Sequence, residues 1–117
     1  MSTPQPDILS LFAARLKARR LAIGLVQQDL GVALGLESRI AQARISRYET
    51  GTHVPDLKTA LDLADALGVS LSSLVAESDR LGQIIELVRQ LPEGQQEELA
   101  KHLSALAASS PSKAEKE

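Results

Sequence analysis

Apolar residues recur every three or four positions along most of the chain, and each run stops at a glycine or a proline. That spacing marks one face of an α-helix. Leu9, Phe12, Ala13, Leu16 and Arg20 predict a first helix from Asp7 or Ile8 to Ala22, closed by Gly24. Arg15, Lys17 and Arg19 fall mostly off its apolar face. Leu30 and Leu34 predict a short second helix over about residues 27–34, broken by Gly35. A glycine inside that helix, Gly31, costs about 1 kcal/mol relative to alanine and implies a second helix crossing close to the backbone. Ala41, Ile45 and Tyr48 give the inner stripe of a third helix from Ser38, a plausible N-cap, to Thr50. Arg39, Gln42, Ala43, Ser46 and Arg47 then face outward. Gly51 closes this helix and Pro55 prevents its continuation. Asp56 caps a fourth helix over 57–67 with a stripe of Leu57, Leu61, Ala64 and Leu67, ended by Gly68. Ser70 opens a short fifth helix over about 71–76. Residues 79–108 read as two further helices joined by Pro92-Glu93-Gly94.

Composition agrees with an all-α reading. The 117 residues include twenty leucines and sixteen alanines, both strong helix formers. Phe12 and Tyr48 are the only aromatic residues, so a β-sandwich or barrel is not expected. The length suits one domain with an appendage and leaves no room for a two-domain enzyme. There is no cysteine, which removes disulfides, thiolate zinc sites and a thiol nucleophile. No apolar run reaches the roughly 20 residues of a membrane helix, and the polar start carries no signal sequence, so a cytoplasmic protein with no membrane partner is expected.

Charge divides the chain. Residues 1–60 hold eight Lys/Arg against five Asp/Glu, whereas 61–117 hold five against ten. A basic front on an acidic body suits a small DNA binder whose one face meets phosphate. It equally suits basic residues scattered over solvated helix faces. Other chemistry is thin. His53 and His102 lie far apart with no third ligand suggested, so no metal and no cofactor is expected. Asp62 and Asp65 sit near Lys58, which suggests surface pairing rather than acid/base catalysis. No glycine-rich phosphate loop, nucleophile elbow or histidine triad is present. An enzyme is the least expected class.

One ordered pattern is specific. Gly24-Leu25-Val26-Gln27-Gln28-Asp29-Leu30-Gly31 is followed by Leu34-Gly35, then Ile45-Ser46-Arg47-Tyr48-Glu49-Thr50-Gly51, then Pro55. The stretch from Ala60 through Gly68-Val69-Ser70 to Leu74 continues it. Over about residues 9–77 the chain resembles the Cro/phage-repressor-type, or XRE-like, helix-turn-helix family. The resemblance implies an all-α, five-helix, lambda-repressor-like domain, here with a C-terminal helical hairpin. It implies that helices 2 and 3 meet double-stranded DNA, with helix 3 in the major groove, where base edges present distinct donors and acceptors. By this resemblance Gln42, Ala43, Arg44, Ser46 and Arg47 are base readers. Gln27, with Gln28, sits where the family contacts phosphate from the start of helix 2. Thr50, Thr52 and His53 match the second phosphate clamp. Arg19 and Arg39 are further phosphate candidates. Arg20 and Glu49 match positions of a buried salt bridge.

Two departures from the family pattern bear on the site. Val26 stands where a capping Thr, Ser or Asn is usual. Ten residues separate Gly35 from Ile45, where the family has about six, and the excess is close to one α-helical turn. The insert lies within residues 36–44 and either lengthens the turn or adds a turn to the front of helix 3.

The expected organisation is a flexible tail (1–7), the helix-turn-helix domain (8–77), the hairpin (78–108) and a disordered tail (109–117). The hairpin presents Leu81, Ile84, Ile85, Val88 and Leu91, then Leu99, Leu103 and Leu106. A stripe of that size is too large to leave in water. It either forms a homodimer interface or folds back on its own domain. A dimer reads two half-sites about 10 bp apart, which favours a palindromic operator. The resulting expectation is a dimeric, sequence-specific transcriptional regulator, most simply a repressor. Two alternatives stand beside it. One is the antitoxin of a toxin–antitoxin pair, whose appended segment binds a small protein partner. The other is an interaction adaptor without DNA binding.

Overall fold

The computed structural model describes residues 7–110, and within them seven helices and no strand. The helices are α1 (Ile8–Ala22), α2 (Gln27–Ala33), α3 (Ser38–Thr50), α4 (Leu57–Leu67), α5 (Leu71–Leu74), α6 (Asp79–Arg89) and α7 (Glu93–Ser109). The two expected tails fall largely outside the described residues. Asp7 is the exception at the front. It is the N-cap of α1, its carboxylate accepting from the Leu9 and Ser10 amides. At the other end α7 runs through Ser109.

The chain divides into two compact units, with the boundary inside α6 between Glu86 and Leu87. In the first unit the core is Phe12, Leu16, Leu30, Ile45, Tyr48, Ala60, Leu63, Ala64, Leu67, Val69 and Leu74. Leu25, Leu34 and Leu71 pack against it while partly buried. Every helix of α1–α5 contributes, which is how such short elements hold together: α2 and α5 are too short to be stable alone in water.

Most of the expected stripes are the buried ones, with two corrections. On α4 the buried face is Ala60, Leu63, Ala64 and Leu67, whereas Leu57 is 80% and Leu61 45% exposed. The helix carries two overlapping leucine rows, and the row richer in small residues turned inward. On α1 Leu9 is 54% exposed, and the inner face begins at Phe12. The caps follow the sequence at Asp56, which accepts from the Thr59 amide, and at Ser70, which accepts from the Ser73 amide. Ser38 does not cap α3. Glu37 takes the N-cap position, without a side-chain bond, and Ser38 is the first helical residue. Helix α5 is also shorter than expected, ending at Leu74.

The start of α6 belongs to the first unit. Gly82 is buried, and a Cβ placed there would meet the Ser73 carbonyl oxygen at 3.2 Å. The Glu86 carboxylate accepts from the Ser70 amide (2.9 Å) and the Ser70 hydroxyl (2.7 Å). In the second unit Gln96 Nε2 donates to the Val88 and Leu91 carbonyls, both at 3.0 Å, tying the start of α7 to the end of α6. Helix α7 has no buried residue; Leu103 is 47% and Leu106 54% exposed.

Candidate nucleic-acid interface

The α2–α3 pair is built on a glycine. A Cβ added at Gly31 would lie 2.6 Å from the Ala41 Cβ and 2.8 Å from the Ala41 backbone. Only a glycine lets the two helices come that near. Ala41 is fully buried at this crossing. Gln28 Nε2 donates to the Ser38 carbonyl oxygen at 2.8 Å, a second tie between α2 and the front of α3.

This geometry decides what the inserted residues do. The connection from α2 to α3 stays short, covering residues 34–37, and α3 spans 13 residues. The extra length is therefore helical and forms the first turn of α3. No glycine or proline lies between Leu36 and Arg44 to break it. At the far end Gly51 takes a left-handed conformation with φ +79°, which turns the chain sharply into the following loop.

A buried ion pair ties three helices together behind this surface. Arg20 of α1 donates to both Glu49 carboxylate oxygens, its Nη2 at 2.9 Å from Oε1, and its Nη1 donates to the Leu25 carbonyl oxygen at 2.9 Å. The side chains are 8% and 2% exposed. The hydrogen bond to Glu49 raises the Arg20 pKa, outweighing the opposing effect of burial. Gln27 Nε2 donates to the same Glu49 Oε1 at 3.1 Å. Gln27 is thus anchored at the start of α2, whose N-cap, Val26, offers no side-chain bond. The first amides of α2 consequently lack a side-chain acceptor at the cap position, and helix starts of this kind favour anions.

The outward side of α3 carries most of the expected readers. Arg39, Gln42, Ala43 and Arg47 are exposed and Ser46 is half-buried. Rotation of about 100° per residue groups Arg39, Ala43, Ser46, Arg47 and Thr50 opposite the buried Ala41, Ile45 and Tyr48. Gln42 lies on the flank near α2, where it borders a shallow depression with Val26, Gln27 and Gln28. Arg44 is half-buried on the opposite flank, apart from the outward group. At the end of α3 the Thr50 hydroxyl lies 2.8 Å from that of Thr52, and the His53 amide donates to the Arg47 carbonyl at 3.2 Å. All three residues are exposed, so this loop presents two hydroxyls and an imidazole to solvent.

The arginines of α1 are placed differently. Arg19 Nε donates to the Leu67 carbonyl oxygen at the end of α4, at 2.9 Å. Arg15 donates to the carbonyl oxygens of Leu74, the last residue of α5, and of Ala76 beyond it, and pairs with Asp79 at 3.3 Å. Two of the cations counted in the basic front are thus engaged with helix ends. Sequence reasoning passed over Glu37, whose carboxylate holds Arg39 Nε at 2.9 Å. An acidic residue two positions before an arginine was the available signal.

A helix-turn-helix family model matches residues 16–74, half of the chain. The chain belongs to the XRE-type helix-turn-helix family. The XRE-type chain is similar to a solved structure, the transcriptional regulator BswR, at 33% sequence identity and a TM-score of 0.74. That likeness covers 84% of this chain and 98% of BswR, more of this chain than its first 77 residues supply. No curated protein matches the sequence. Among the described residues no group of His, Cys, Asp or Glu could hold a metal, and no helix is long and apolar enough to cross a membrane.

Proposed function

We propose that this chain is a sequence-specific transcriptional regulator that reads the DNA major groove with the outward side of α3. The observation that carries the reading is the group of exposed Gln42, Ala43 and Arg47 with half-buried Ser46, held on a helix that Gly31 allows α2 to brace at close contact. Arg47 has no carboxylate partner among the described residues, so its full charge and donor fork are open to a guanine edge. Gln42 has the donor and acceptor that match adenine. Arg44 contributes from the flank of the same helix. Gln27 and Gln28 at the start of α2, and Thr50 at the end of α3 with Thr52 and His53 after it, bracket this group and supply phosphate contacts that fix its register. The family and the regulator BswR support DNA binding and transcriptional control in this chain.

The regulator acts as a dimer, most simply a repressor occupying a palindromic operator. Support comes from the apolar side chains that the fold leaves uncovered. Leu81, Ile84, Leu103 and Leu106 are exposed, and Ile85, Val88, Leu91 and Leu99 are only partly covered. A second copy would remove them from water.

Selection of bound sequences from a random duplex library, at about 0.15 M salt, tests both parts. Enrichment of an inverted repeat is the expected result. Enrichment of a single half-site, with only monomer in sedimentation, overturns the dimer. No binding even at low salt overturns the function.

A further inference from the structure

We propose that the turn inserted at the front of α3 reads an additional base pair, a guanine, through Arg39, with Glu37 as the residue that positions it. The inference rests on the DNA-reading role given to α3 above.

The inserted turn is held rather than frayed. Ala41 lies within it and is fully buried against Gly31, and the Ser38 carbonyl accepts from Gln28. A side chain carried by that turn therefore has a fixed origin. Arg39 lies within about 40° of Ala43, Ser46 and Thr50 around the helix, so it prolongs the outward group toward the N-terminus. Four residues from Ala43 back to Arg39 advance it about 6 Å along the axis. That exceeds the roughly 3.4 Å rise of one base pair. The insertion thus carries a cation beyond the bases that Ala43 can touch.

The chemistry favours a base edge over the backbone. Arg39 is 79% exposed on its side chain, and Glu37 occupies its Nε edge at 2.9 Å. The two terminal amino groups remain free, side by side, which is the pair that meets guanine O6 and N7. Glu37 restricts the long side chain to fewer rotamers and so reduces the ordering needed on binding. As a free-standing stabiliser the pair counts for little, because both groups are in water. Next to a phosphate, however, the carboxylate would repel. Glu37 makes Arg39 a poor backbone clamp and a good reader of an uncharged edge.

The test uses the full chain and the same random duplex library, with Arg39→Ala, Arg39→Lys and Glu37→Gln beside the parent. Both sites are exposed, so the melting curves of all three variants should coincide with that of the parent. The expected parent motif contains a guanine at one end of each half-site. Arg39→Ala should lose that one preference, keep the rest, and bind the best site about tenfold to a hundredfold more weakly. Arg39→Lys should lose the same preference while keeping the salt dependence, because it keeps the charge without the fork. Glu37→Gln should weaken the guanine preference and strengthen binding to unrelated DNA. A motif unchanged in Arg39→Ala overturns the inference and leaves the DNA-reading role standing. A uniform loss over all sequences, with the salt slope reduced by about one, assigns Arg39 to phosphate and overturns it too. Failure of the parent to enrich any sequence removes the underlying role itself.

Discussion

Helices α1 and α3 each carry three arginines, and the structure uses them in opposite ways. Arg15, Arg19 and Arg20 of α1 direct their donors inward, to the Leu74, Ala76 and Leu67 carbonyls and to Glu49. On α3, Arg39 and Arg47 are exposed, and Arg44 lies half-buried on a flank. Carbonyls at a helix C-terminus lack partners within their own helix and attract cations. An arginine on a neighbouring helix satisfies them. The same residue type is thus mortar on α1 and, in the proposed function, a reading group on α3. Net charge counts both alike, and only the partner distinguishes them.

Breaking the mortar should cost most. Replacing one member of the Arg20–Glu49 pair, as in Arg20→Met or Glu49→Gln, leaves a buried charge or polar group unpaired and should destabilise by about 3–5 kcal/mol in denaturant melts. A melting curve that does not move would show that the pair contributes nothing to the fold. Gly31→Ala comes next. The added methyl would meet Ala41 at 2.6 Å, and because the Ala41 backbone is nearly as close, the helices themselves must part. The expected loss is about 1–3 kcal/mol, with DNA affinity falling beyond what the lost stability explains, since α3 is displaced from its brace. Arg15→Ala should be milder, about 0.5–1.5 kcal/mol, because the Leu74 and Ala76 carbonyls are only partly buried. Its DNA affinity should be that of the parent.

The smallest effect concerns acid. The amide of Thr59 holds the Asp56 carboxyl below the ordinary carboxylate value, and Ser10 does the same for Asp7. Depressed carboxyls contribute stability above their unfolded pKa and lose it as pH falls through the folded one. Melting temperature should therefore fall modestly below about pH 4, and Asp56→Ala should flatten that limb. An unchanged limb would show that the Asp56 cap is not formed in solution.

How much of this was legible in the sequence depended on whether the partner lay nearby in the chain. Most helices, the glycine stops and the Asp56 and Ser70 caps depend on residues within a turn of one another, and they follow the sequence; the exceptions are α5, which ends at Leu74 rather than near Ala76, and Glu93 and Gly94, expected in the joint but placed in the first turn of α7. Gly31 revealed the α2–α3 crossing because a glycine inside a helix has few other uses. Gly82 carries the same signal for α6 and marks where that helix joins the first unit. The arginine partners did not show, since they lie 48 to 61 residues away and are backbone carbonyls, which no residue type betrays. The two leucine rows of α4 were ambiguous for a related reason. Period fixes the existence of a face, and packing chooses between neighbouring ones. The insert before Ile45 could not be assigned from spacing, because a longer loop and a longer helix both absorb one turn. The start of α3 at Ser38, after a connection of only four residues, decides for the helix.

The contrast between the two helices reduces to one paired measurement: affinity for the selected duplex across a salt series, with melting temperature, for Arg19→Ala and Arg47→Ala. Arg47→Ala should melt like the parent, within about 0.5 kcal/mol, and bind more weakly by about 1–3 kcal/mol. Arg19→Ala should melt lower and, while still folded, bind with the affinity and salt slope of the parent. The opposite outcome, with Arg19→Ala losing affinity and salt slope while Arg47→Ala binds normally, would place the DNA on α1 and contradict the account.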